Sequence, residues 1–153
     1  MKPFAFRIGK IAKAAGAMLT LGALWPAQAA TPLSPEPAFN SRVVRLDHAP
    51  SPQARAHLVV TALTPAGGRH IDVYTADSDD APFRPIGRIS DPIFASGLCC
   101  GTLYELPRRV GSLREGTLLW AASIGQDTAD KHMSIHIYRS EDEGRNWTFL
   151  GNV

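Results

Sequence analysis

Eight residues, Ser140-Glu141-Asp142-Glu143-Gly144-Arg145-Asn146-Trp147, constrain this chain more tightly than any other stretch. They fit the pattern Ser-x-Asp-x-Gly-x-x-Trp at all four fixed positions, and each position has a mechanical task in a tight turn between antiparallel strands. Ser140 and Asp142 can hydrogen-bond turn amides that would otherwise lack partners. Gly144 can take the positive φ that other residues resist. Trp147 opens the next strand and can bury its ring against the hairpin. From average residue frequencies, a chance match in a chain of this length is on the order of one in a thousand.

The surroundings of the motif point the same way. In Ser134-Ile135-His136-Ile137-Tyr138-Arg139 the two isoleucines face one way and Ser134, His136 and Tyr138 the other, because side chains alternate along a strand. Short apolar or alternating runs recur at 42–46, 57–63, 70–75, 83–89, 102–106, 117–124, 133–139 and 147–153, with Gly, Pro or Asp clusters between them. No stretch beyond the N-terminus sustains helical periodicity for three turns, so the pattern predicts an antiparallel all-β fold. The run Thr117-Leu118-Leu119-Trp120-Ala121-Ala122 is apolar on both faces and belongs in the middle of a sheet. Sliding the chain by 64 residues lays 71–89 on 135–153 without a gap. Ile71/Ile135, Tyr74/Tyr138 and Gly87/Gly151 are identical, and Val73/Ile137, Phe83/Trp147, Ile86/Leu150 and Ile89/Val153 match in character. This predicts a duplicated strand–turn–strand unit.

The N-terminus is a separate matter. Lys2, Arg7, Lys10 and Lys13 precede a short apolar stretch at 14–25 and the small-x-small site Ala27-Gln28-Ala29, which predicts a cleaved signal peptide over 1–29 and a secreted or periplasmic protein. The stretch is shorter than the roughly 20 residues of a membrane span. Those four bases removed, the mature part carries 12 bases against 14 acids, and nothing basic is left to argue for nucleic acid or an anionic membrane surface. Residues 31–38 are Pro-rich and read as an extended lead-in. Cys99 and Cys100 are the only cysteines and are adjacent. A vicinal disulfide, pairing outside the chain and two buried thiols are the three fates open to them, the first being preferred. Neither they nor the five histidines offer a metal-ligand set, and no cofactor is expected.

The 140–147 pattern is the Asp-box, and with its flanks the chain resembles the sialidase (neuraminidase) superfamily of BNR-repeat proteins. The resemblance covers 101–153 well and 57–89 weakly. It implies a partial β-propeller after the signal peptide: about two four-stranded antiparallel blades, near 53–92 and 98–153, of a six-bladed ring. The lead-in and first strand would occupy 30–52. Tyr104-Glu105-Leu106-Pro107 resembles the aromatic-x-aliphatic-Pro element of an innermost strand. Ala76, Ser78, Asp80 and Phe83 would mark a degenerate Asp-box in the preceding blade. In that family Ser140, Asp142, Gly144 and Trp147 are structural and lie away from the substrate pocket. The family places an acid/base Asp in the loop after the second strand, where Asp127 and Asp130 are the only carboxylates; solvated loop charges are the alternative. The element at 104–107 normally carries an arginine that grips the sugar carboxylate. Glu105 stands there instead, either as a pocket group or as a satisfied inner-strand acid, and would repel an anionic sugar. Tyr74, Tyr104 and Tyr138 all sit in strand patterns and read as packing.

Two functional expectations follow. One is the N-terminal part, or a truncated form, of an exported sialidase-like glycoside hydrolase whose sugar need not be sialic acid. The other is a non-catalytic exported Asp-box module that binds glycan or protein. Two blades leave faces that further blades, or self-association, would have to cover.

Overall fold

The computed structural model describes residues 32–65 and 68–153, so the expected signal peptide at 1–29 lies outside the described residues. Eight strands form: β1 (Phe39–Arg45), β2 (Leu58–Thr64), β3 (His70–Ala76), β4 (Arg84–Ile89), β5 (Leu98–Glu105), β6 (Leu118–Ile124), β7 (Ser134–Ser140) and β8 (Thr148–Asn152). They build two four-stranded antiparallel sheets, ordered β1-β2-β3-β4 and β5-β6-β7-β8. Among the described residues there is no α-helix, only 3-10 turns at Pro52–Ala54 and Pro92–Ser96. The sheets touch most extensively along β1 and β5, as blades fanning from an axis do. The fold is all-β, two blades of a β-propeller. Residues 39–45, grouped by sequence with the lead-in, pair with β2 as the first strand of the first sheet, so that blade begins at 39 and not at 53.

The 64-residue repeat is a repeat of ladder register. Ile71 faces Ile89, and Ile135 exchanges both backbone hydrogen bonds with Val153. Val73 faces Gly87 as Ile137 faces Gly151, and a bulge follows at the same step in each hairpin. The inner halves repeat at 60 residues, an offset hidden from the first one by loop length. Phe39 faces Leu63 and Arg42 faces Thr61; Cys99 faces Ser123 and Thr102 faces Ala121. Each first strand therefore carries one extra residue at the same place.

The blades stack face to face. Leu118, Trp120, Ala122 and Tyr138 of the second pack on Val59, Ile71, Val73 and Ile89 of the first. Phe94, from the link between blades, meets Trp120 and Tyr138 at centroid distances of 6.0 and 5.6 Å with tilted rings. Such pairs contribute about 0.5–1.5 kcal/mol each beyond area burial. Because side chains alternate, Ile135 and Ile137 point away from the first blade, towards the side where it has no counterpart among the described residues. Ile71 is 3% exposed and its equivalent Ile135 41%; Ile89 is 1% exposed and Val153 83%.

The turn at 140–147 is held by the residues that the pattern singles out. The Ser140 hydroxyl accepts from the Gly144 amide at 2.9 Å and donates to Asp142 Oδ1 at 2.8 Å. Asp142 also accepts from the Asn146 amide at 2.9 Å and from its side chain at 2.6 Å. The indole N–H of Trp147 donates to the Gly144 carbonyl at 2.9 Å. Gly144 has φ 95°, and Glu143 before it is left-handed too, at 63°. Burial pushes the Asp142 carboxyl up, but the bonds from Asn146 and Ser140 and the Arg145 charge outweigh it and leave it below the usual carboxylate range. A lowered folded-state value gives stability that is present above the unfolded pKa and lost as pH falls through the folded one. Asp142→Ala is therefore expected to cost about 2 kcal/mol at pH 7 and less below pH 4, where wild type has lost the same contribution. Urea melts at the two pH values check this.

Candidate functional site

Antiparallel strands send the connections to two opposite ends. The end of β2 and the start of β3, the 125–133 loop, the 90–97 link and the starts of β1 and β5 share one end. The 77–83 and 141–147 turns and the 46–57 and 106–117 links share the other. Asp127 and Asp130 belong to the first end, Glu105 and the 140–147 turn to the second. The three carboxylates grouped by sequence do not form one site.

At the first end, the interblade link holds the 125–133 loop by its backbone. The Asp127 amide donates to the Ser96 carbonyl at 2.9 Å, and the Gly125 amide to the Gly97 carbonyl at 3.1 Å. Gly97 has φ 111°, and a Cβ there would lie 2.7 Å from the Asp127 nitrogen, so only glycine lets link and loop approach this closely. The Asp127 carboxylate is exposed and accepts from Arg69, just before β3, at 2.5 Å, an ion pair joining the two blades. Asp130 is exposed and lies 3.0 Å from His132 Nδ1. The Thr128 hydroxyl, which also lies on the Gly125 carbonyl, and the His132 amide hold the Asp130 carboxyl below its usual range. Cys99 and Cys100 are joined by a disulfide in the extra-residue bulge of β5, at this same end, with Cys100 exposed. Among the described residues no group of His, Cys, Asp and Glu has the arrangement of a metal site.

Two residues at this end escaped sequence reasoning. Arg69 has its partner 58 positions away, so no local spacing could reveal it. Asp91, in the link, accepts from the Tyr138 hydroxyl at 2.8 Å and from the Ile93 amide at 3.0 Å. Burial, with Asp91 beside it, pushes the Tyr138 phenol well above its usual range, so it stays protonated and acts as a donor in the interblade packing. Tyr74 is buried on the other face of the first blade, and Tyr104 is exposed on the free face of the second.

Glu105 is nearly inaccessible, at 6% exposed. Its carboxylate accepts from the amides of Asp47 at 2.8 Å and His48 at 3.1 Å, clasping the first blade just after β1. Burial pushes its carboxyl up, and those two amides only partly offset this. The 60-residue offset places Arg45 at the equivalent position of the first blade, where it binds Asp79 at 2.5 Å and the Ala56 carbonyl at the turn end. An arginine in the inner-strand position thus exists, one blade earlier than sequence reading sought it. Sliding by 60 as well as by 64 finds it.

No family model matches this sequence, and no curated protein sequence matches it. Solved structures do. An α-L-arabinanase of Penicillium chrysogenum complexed with arabinobiose is 28% identical, with a TM-score of 0.61 over 76% of this chain and 32% of its own. A GH93 α-L-arabinofuranosidase of Fusarium graminearum with arabinobiose is 24% identical, with a TM-score of 0.61 over 76% of this chain and 31% of its own. The chain thus spans about a third of the length of the solved structures it matches, and its fold is that of a propeller-type glycosidase.

Proposed function

We propose that this chain supplies two blades of an exported glycoside hydrolase, related in plan to the sialidases, that acts on neutral arabinose-containing oligosaccharides. Its 125–133 loop would contribute an acid/base carboxylate from Asp127 or Asp130. The observation that carries this reading is the 28% identity, over three quarters of the chain, to a propeller that holds arabinobiose. The N-terminal pattern supports export. A second reading, a module that holds glycan without cleaving it, is favoured by the Arg69 ion pair, which engages Asp127 in joining the blades.

The chain alone is expected to be inactive, so the test uses the completed propeller, this chain with the blades that close its ring, against arabinobiose and sialyllactose. Binding is followed by ligand-detected NMR and hydrolysis by reducing-sugar release. The expected result is arabinose release that one of Asp127→Asn and Asp130→Asn slows by about 100-fold or more. Unchanged hydrolysis in both variants removes the acid/base role. Binding without hydrolysis selects the module, cleavage of sialyllactose alone overturns the sugar class, and no interaction with either glycan overturns both readings.

A further inference from the structure

The two first strands carry the same bulge, and it requires the same unusual backbone in each. From Phe39 to Arg42 the chain takes three steps while its partner takes two, from Leu63 to Thr61. From Cys99 to Thr102 it again takes three against two, from Ser123 to Ala121. The extra residue is left-handed in both, Asn40 at φ 50° and Cys100 at φ 61°. Bulges of this kind usually place a glycine there, and of the other residues asparagine is among the few that visit the region routinely. The first blade therefore fills the position with a residue suited to it. The second fills it with cysteine, which has no such tolerance, and bonds it to the residue before.

We propose that the Cys99–Cys100 disulfide is a reducible latch: the covalent ring holds Cys100 in the left-handed bulge and thereby positions the 125–133 loop. The connection is short. Cys99 faces Ser123 and Leu98 faces Ile124 at the end of β6. Immediately before them, the carbonyls of Gly97 and Ser96 receive the amides of Gly125 and Asp127. Movement of the bulge along β5 is passed to the two amides that seat the loop. Gly101, next after the ring, transmits it inward as well, since a Cβ there would lie 2.9 Å from the Trp120 indole. The first blade needs no latch, because its asparagine meets the same demand without a second bond. Exposure of Cys100 leaves the disulfide open to a thiol, which would attack one sulfur and release the other as thiolate. Two equivalents of thiol then become one disulfide as the pair becomes two cysteines. The consequence for catalysis rests on the glycosidase reading; the positioning of the loop does not.

Amide hydrogen exchange on the full chain, with and without dithiothreitol, tests this, with reduction verified by alkylation and intact mass. Reduction is expected to speed exchange at Gly125 and Asp127 about fivefold, the factor that roughly 1 kcal/mol of left-handed strain implies, while the amides of Val60 and Ala62 beside the Asn40 bulge do not change. The double variant Cys99→Ala/Cys100→Asn is expected to match the oxidised wild type and to ignore dithiothreitol. Cys99→Ala/Cys100→Ala is expected to match the reduced one. Equal protection of the oxidised and reduced wild type overturns the latch, and so does an asparagine variant as loose as the alanine variant. Absence of glycan binding in oxidised and reduced protein alike, with the exchange difference between them intact, would overturn the glycosidase reading alone.

Discussion

Gly87→Ala is expected to melt about 10 °C below wild type, while Gly151→Ala melts within about 2 °C of it. The two glycines hold the same place in the repeat and face Val73 and Ile137 in the same register. Their surroundings differ completely. A Cβ on Gly87 would sit 2.4 Å from the Gly144 carbonyl oxygen and 2.6 Å from that of Arg145. Both obstacles are backbone in a turn fixed by Ser140, Asp142 and Trp147, so neither can swing aside as a flexible side chain would. Relief requires the blades to separate at their outer edge, which uncovers Val59, Val73 and Ile86, the side chains that line the approach to Gly144. About 3 kcal/mol is the expected cost. A Cβ on Gly151 meets nothing within 4 Å. Thermal melts of the two variants therefore report on blade stacking specifically, and an equal loss in both would mean that the turn does not rest on the first blade.

The second large effect belongs to Glu105. Replacing it with alanine deprives the Asp47 and His48 amides of their acceptor and leaves a void where a nearly inaccessible side chain stood. Together these are expected to cost about 3 kcal/mol. Glu105→Gln keeps an acceptor oxygen and avoids burying a charge, so it is expected to cost less than about 1 kcal/mol at pH 7. The pH dependence separates the causes. Burial raises the folded-state pKa of Glu105 above its ordinary value of 4.5. A raised value means stability that is fully present below the unfolded pKa and is lost as pH rises through the folded one. Wild type is thus expected to lose part of its stability as pH climbs past about 4.5, and Glu105→Gln to lack that part of the decline. Urea melts from pH 4 to 7 on both proteins are the measurement. A parallel course for the two would show that the carboxyl is not buried as described. Asp142 runs the opposite way, since its hydrogen bonds favour the charged form.

How legible the site was depended on how far apart its parts lie in the chain. Asp127 and Asp130 could be singled out as candidates because they share a loop with a recognisable place between two strands. Glu105 was found as an anomaly in a motif, but its purpose, reaching back across 58 positions to the amide of Asp47, was not visible there. Arg69 and Asp91 carried no local signal at all. The adjacent cysteines were legible as a pair. That they occupy a left-handed bulge became visible only when β1 and β5 were laid on each other.

By itself the sequence determined the strands, the turn at 140–147, the repeat and its register, because these depend on interactions among residues close in the chain: side-chain alternation, hydroxyl and carboxylate reaching nearby amides, a glycine free to turn. Which face of each strand is buried was decided by the tertiary structure. Ile71 and Ile135 are the same residue in the same local setting, yet one lies under the second blade and the other is open to water. Local chemistry can prepare an apolar face, but burial requires a neighbour, and the neighbour comes from a part of the chain that the strand's own residues do not specify.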